Sequence, residues 1–158
     1  MDDIGVPALR AAALDQRLAG AGPETIIAAA AATVPEGAFA IVSSFGTESA
    51  VLLHAVAQID RGLPVLLLDT GFLFPETLAY RDALVERLGL TDVRSIRPDP
   101  LDRQNVDPED DLWHRDPDAC CALRKVRPLA RALAPFGAWA NGRKRYQSAT
   151  RADIAVVE

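Results

Sequence analysis

The stretch AFAIVSSFGTESAVLLHAVAQI, residues 38–59, decides the fold. Its first part, AFAIVSS (38–44), is a short apolar run rich in β-formers and reads as a buried strand. From Thr47 to Ile59 the pattern turns helical, with Thr47 as N-cap and Glu48 in the first turn, where the helix dipole favours an acid. The same alternation continues along the chain. LPVLLLD (63–69) is a second apolar strand, a helix over 75–89 closes at Gly89, and DVRSIRP (92–98) is a third strand. A helix over 117–134 starts from Asp116 and Pro117 and is kinked by Pro128. GAWANG (137–142) and DIAVVE (153–158) read as two more strands. Two Ala-rich helices, 7–19 and 23–33, come first; Pro23 suits a first helical turn, and Pro35 with Gly37 ends the second. The expectation is an α/β fold with a parallel, doubly wound sheet of about five strands and helices on both faces. Ligands in such sheets bind at the carboxyl ends of the strands, which places the turns after Ser44, Asp69, Arg97 and Gly142 on one rim.

Composition narrows the classes of function. The 158 residues suit one domain, 1–158, with 1–36 as its N-terminal helices. Apolar residues make up 49% and charged residues 25%, close to an average globular chain. No apolar run approaches the ~18 residues that span a bilayer, so no membrane partner is expected. The acidic N-terminus lacks the basic region of a secretory signal, and two cysteines are too few for a disulfide scaffold; both point to a cytoplasmic protein. A net charge of −5 argues against nucleic acid. That average hides an asymmetry. Residues 99–118 carry eight acids and two arginines, whereas residues 122–151 carry eight bases and no acid. An anionic ligand accounts for this, and so does a basic helix paired with the preceding acidic segment. Residues 98–117, with four prolines and seven acids, read as a long mobile loop.

Three rim turns carry chemistry. SSFGTES (43–49) passes from strand to helix; Gly46 permits close backbone approach, and the hydroxyls of Ser43, Ser44, Thr47 and Ser49 surround amides suited to an anion. It lacks the lysine of a Walker A loop. LDTGFLFPET (68–77) ends a buried strand on Asp69, where a carboxylate needs a partner or a ligand, although Thr70 and Gly71 also suit a plain turn. WANGRKRYQSATRAD (139–153) gathers Arg143, Lys144, Arg145 and Arg151 with Gln147, Ser148 and Thr150, groups that grip phosphate or sulfate. The cysteines stand side by side at 120 and 121, ahead of Arg124, Lys125, Arg127 and Arg131. Neighbouring cysteines rarely reach disulfide geometry, and two buried thiols on a helix are the plain alternative.

In this order SSFGTES, LDTGFLFPET, CCALRKVRPL and WANGRKRYQSATR resemble the adenylyl-sulfate and phosphoadenylyl-sulfate reductases, within the PP-loop adenine nucleotide hydrolase-like fold. The likeness runs from about Phe39 to Glu158. It implies a Rossmann-like, PP-loop type sheet and a substrate site drawn from Ser43, Ser44, Phe45, Gly46, Thr47, Glu48 and Ser49. Asp69, Thr70 and Gly71 would lie near the adenosine; Arg124, Lys125, Gly142, Arg143, Gln147, Ser148 and Arg151 complete the set. ATP-cleaving relatives carry two glycines after the first serine. Phe45 replaces the first here, which favours the reductase branch.

The resemblance also implies a role for the cysteines. In the adenylyl-sulfate branch, Cys120 and Cys121 would be two of four thiolate ligands to a [4Fe–4S] cluster, tuned by Arg124 and Lys125, with Lys125 supporting catalysis by linking cluster to substrate. The other two ligands, a CxxC pair, and the nucleophilic cysteine that forms a thiosulfonate and releases AMP belong to a C-terminal segment that these 158 residues lack. The chain is therefore expected to be inactive alone. Adenylyl sulfate or phosphoadenylyl sulfate is the implied substrate and thioredoxin or glutathione the implied donor. No nicotinamide or flavin is expected, and the family leaves room for a homo-oligomer. Rival readings are a phosphoadenylyl-sulfate reductase with incidental cysteines, an ATP-splitting relative, and a nucleotide-binding module without chemistry.

Overall fold

In the computed structural model, which describes residues 5–158, four strands form one sheet. They are β1 (Phe39–Val42), β2 (Val65–Leu68), β3 (Val93–Ile96) and β4 (Ala138–Asn141). Their order is β3-β2-β1-β4 and every pairing is parallel. Helices α1 (Gly5–Arg17) and α2 (Pro23–Ala31) precede β1, α3 (Ser49–Ile59) links β1 to β2, and α4 (Pro75–Leu88) links β2 to β3. Short helices α5 (Pro100–Val106), α6 (Leu112–Arg115), α7 (Pro117–Cys121) and α8 (Arg127–Leu133) make up the return to β4. Among the described residues no helix is long and apolar enough to cross a membrane.

The strand sequences explain their places. FAIV and VLLL are apolar at every position, as strands covered on both faces must be, and they occupy the centre. VRSI and AWAN mix polar or small residues with apolar ones and lie half-exposed at the edges. The chain winds outward from β1 through β2 to β3, then reverses to lay β4 on the other side of β1. Right-handed crossovers in opposite directions put helices on both faces. Helix α2 packs on α3 and β4, and α8 packs on β2 and β3. Ile41, Leu53, Val56 and Val65 form the fully buried centre of the core. Gly89 closes α4 at φ +67°, a left-handed conformation that glycine takes at little cost.

Three expectations need correction. The fifth strand, over 153–158, does not form. Its backbone is not paired to the sheet; instead the N–H groups of Val156 and Val157 donate to Asp15 Oδ1 on α1, at 2.8 and 3.0 Å. Helix α3 starts at Ser49, with Glu48 rather than Thr47 at the N-cap position and no side-chain capping bond. Residues 98–117 are largely helical rather than an irregular loop. Asp99 caps α5 by accepting from the N–H groups of Leu101 and Asp102, and Asp116 caps α7 by accepting from that of Ala119. Pro100 and Pro117 hold first-turn positions, where a missing N–H costs nothing. The kink expected at Pro128 takes the form of a π-helical segment, Ala122–Val126, that joins α7 to α8.

Leu53 has no exposed surface, so Leu53→Ala should lower stability by about 2–5 kcal/mol. Urea titration should show an earlier midpoint with an unchanged slope, and a midpoint equal to wild type would contradict this packing.

Candidate functional site

The reversal between β1 and β4 leaves a crevice at their carboxyl ends, and a cleft of about 450 Å³ lies there. One wall is the loop from Ser43 to Ser49; the other is the arm from Asn141 to Arg151. In the loop, Ser43 Oγ accepts from the N–H of Phe45 at 3.2 Å, and Ser44 Oγ accepts from that of Gly46 at 3.4 Å. Phe45 sits at φ +52° with its ring 1% exposed. That is a glycine-like backbone held by a core anchor, at a cost of order 1–3 kcal/mol. Its side chain therefore serves the core, and only its backbone can serve the cleft.

The arm is two single 3₁₀ turns, Arg145–Gln147 and Ala149–Arg151, neither of which buries a side chain. Asn141, unremarked in the sequence, begins it by accepting from the backbone N–H of Arg143 at 2.9 Å. Arg143, Lys144 and Arg151 line the cleft together with Gln147. Glu48 faces them from the loop. Its carboxylate accepts from Lys144 Nζ at 2.6 Å, Tyr146 Oη at 3.0 Å and Gln147 Nε2 at 3.1 Å. The Lys144 bond, then that of Tyr146, holds the Glu48 carboxyl below the usual carboxylate range. Ser148 does not line the cleft; its hydroxyl lies 3.0 Å from that of Thr150.

Asp69 and Gly71 do not line this cleft either. Asp69 is buried at the end of β2, where its Oδ2 accepts from Arg97 Nε at 2.8 Å and its Oδ1 from the N–H of Gly71 at 3.1 Å. Burial raises its pKa, but those two bonds prevail and lower it. Asp69 thus shapes the turn, and Gly71 at φ +83° completes it. Thr70 offers its carbonyl to Arg124 Nη1 at 2.9 Å.

Arg124 shows where part of the charge asymmetry goes. Its side chain is 3% exposed, and its Nη2 bonds both Asp107 Oδ2 and Asp110 Oδ1 at 2.6 Å. Asp107 is fully buried and also accepts from the N–H of Leu112 at 2.9 Å. The guanidinium lies 4.2 Å from the centre of the Phe72 ring. Arg124 is therefore paired with the acidic segment, whereas Arg143, Lys144 and Arg151 face the cleft. Pairing with the preceding acidic segment thus accounts for Arg124.

A second cavity, about 250 Å³, lies beside this clamp. Cys120, Cys121 and Lys125 line it with Thr70, Phe72 and Trp113. Cys120 is buried and Cys121 exposed, and both thiols are free. Among the described residues no three His, Cys, Asp or Glu side chains gather as a metal set. Trp113, Asp107 and Phe72 were not singled out as site residues from sequence, because only tertiary packing brings α5–α6 and the 70–72 turn against the cysteines.

Residues 38–158 match the family model described as the phosphoadenosine phosphosulfate reductase domain. The chain is 51% identical over 156 residues to an adenosine 5'-phosphosulfate reductase of Mesorhizobium japonicum, covering 99% of this chain and 61% of that one. It is 40% identical over 137 residues to a phosphoadenosine 5'-phosphosulfate reductase of Gloeobacter violaceus, covering 86% and 56%. In fold it is similar to a phosphate complex of the phosphoadenylyl-sulfate reductase of Candida auris, with a TM-score of 0.69 at 21% identity over 84% of this chain and 66% of that one. The chain thus spans under two-thirds of the length of these relatives.

The Arg124 clamp makes stability acid-sensitive. Bonds from Arg103 and then Arg124 hold Asp110 down to about 2. A carboxylate with a depressed folded pKa contributes stability above its ordinary value of 3.8, and that contribution fades as pH falls through about 2. Stability measured between pH 5 and 2 should therefore fall less steeply in Asp110→Asn than in wild type. Asp107→Ala leaves the buried Arg124 with the half-exposed Asp110 as its one neighbouring anion and should cost about 3–5 kcal/mol at neutral pH; a loss under about 1 kcal/mol would contradict the clamp.

Proposed function

This chain belongs to the phosphoadenosine phosphosulfate reductase domain family, and from that premise we propose that it supplies the nucleotide site of an adenylyl-sulfate reductase, which converts adenylyl sulfate to sulfite and AMP. The observation that carries this reading is the convergence of Arg143, Lys144 and Arg151 on the amide- and hydroxyl-rich loop 43–49 at the sheet's switch point. Loop amides at the start of α3 and the two arginines grip the phosphosulfate; Ser43 and Ser44 hold the loop in shape through the Phe45 and Gly46 amides. The chain binds and orients the anion. The nucleophilic cysteine, and the thioredoxin or glutathione that would free sulfite, lie outside these residues.

The cysteine pair favours adenylyl sulfate over its 3'-phosphorylated form. Cys120 and Cys121 line one cavity with Lys125, a soft donor pair beside a cation, which suits half the ligand set of a [4Fe–4S] cluster. When bound, such a cluster would add a redox-capable, net anionic group to that cavity, which a neighbouring cation would offset. Of the cations expected to tune it, Lys125 is free to do so, whereas the charge of Arg124 is spent on Asp107 and Asp110. Two further thiolates are needed from outside these 158 residues. A phosphoadenylyl-sulfate reductase is the second reading, supported by the name of the Gloeobacter relative.

Calorimetry with AMP and with adenosine 3',5'-bisphosphate separates the two, since the first reading expects AMP to bind at least as tightly. Arg151→Ala should weaken AMP binding by about 1–3 kcal/mol, the worth of a charge-assisted hydrogen bond. Unchanged affinity in that variant would count against the cleft. Anaerobic reconstitution of the 158-residue chain with iron and sulfide should leave it colourless and without sulfite release. A brown chain with about four irons would contradict the two-ligand account.

A further inference from the structure

Resting on the nucleotide reading of the cleft, we infer that Glu48 is a positioning residue that latches the 143–151 arm across the 43–48 loop and so seats Lys144 and Arg151 for the anionic ligand. Among the described residues, the side-chain hydrogen bonds that cross from one wall of the cleft to the other all end on Glu48. They join positions 96, 98 and 99 residues apart in the chain. The arm's other side-chain ties, Arg145 Nε donating to the Ile154 carbonyl at 2.9 Å and Arg143 paired with Glu158 at 3.8 Å, lead to the C-terminal tail and not to the loop. Neither of its 3₁₀ turns buries a side chain, and turns of this length are weak in isolation.

Gln147 extends the latch. Its Nε2 donates to Glu48 Oε2, while its Oε1 accepts from Arg151 Nη1 at 2.7 Å and from the backbone N–H of Lys144 at 3.1 Å. One carboxylate therefore orders two of the three cations that face the cleft, one directly and one through Gln147. Glu48 does not bind the anion itself. An ionised carboxylate only accepts hydrogen bonds, and its charge repels an oxyanion. Simple electrostatics thus expects binding to tighten when Glu48 is removed, whereas the latch expects it to weaken. The opposite signs make the role testable.

The experiment uses the 158-residue chain with Glu48→Ala and the conservative Glu48→Gln, which keeps an acceptor for Lys144 and Tyr146. Two measurements are made: amide hydrogen exchange without ligand, and AMP affinity by calorimetry. In Glu48→Ala the amides of Lys144, Gln147 and Arg151 should exchange about tenfold faster, while those of β1 and β2 stay unchanged. AMP affinity should fall about tenfold, the scale of a charge-assisted contact reduced by solvent exposure. Glu48→Gln should recover part of both. Wild-type exchange in the arm of Glu48→Ala, or AMP binding as tight as wild type or tighter, would overturn the inference. A wild-type chain that binds no AMP would overturn the nucleotide reading and with it the ligand half of this inference; the exchange measurement judges the latch by itself.

Discussion

Everything at the rim follows from the reversal of winding between β1 and β4. A parallel strand pair formed by chain segments about a hundred residues apart has no crossover helix of its own to fill the space above its carboxyl ends. The loops leaving β1 and β4 face each other across the gap. Two segments that are unremarkable alone, one rich in hydroxyls and amides and one rich in guanidinium groups, become the walls of one cleft. Both central strands must be apolar on both faces for this to hold, because the core that fixes the strand ends lies on both sides of the sheet.

Arg124 does for the second cavity what the winding does for the first. A guanidinium buried to 3% has to find anions, and Asp107 and Asp110 supply them from a segment whose prolines and acids look unstructured when read along the chain. The same side chain takes the Thr70 carbonyl and covers Phe72. The acidic segment, the turn after β2 and the cysteine-bearing helix are thus tied to one residue. Lys125, the next residue, stays available to the cavity that holds Cys120 and Cys121. Adjacent basic residues have come to opposite uses, one for architecture and one for the cavity.

Legibility from sequence varied by element for physical reasons. The central strands and α4 were readable because their signals are local: continuous apolar runs, and a glycine placed to end a helix. Residues 98–117 were misread because helices of four to seven residues show no periodicity, so their caps and first-turn prolines look like loop punctuation. The final segment failed for a different cause. IAVV has strand-like composition, but its amides are taken by Asp15 on α1, a partner about 140 residues away.

The sequence by itself determined the parallel α/β architecture and the family, and it placed the loops after β1 and β4 on one rim, since each rests on residue types at fixed local spacing. Tertiary structure alone decided what each charge does. It turned Asp69 inward to Arg97, spent Arg124 on two aspartates, set Phe45 in the core and aimed Glu48 at the arm. A charged group interacts with whatever lies within a few ångströms of it, and folding, rather than sequence order, sets those neighbours.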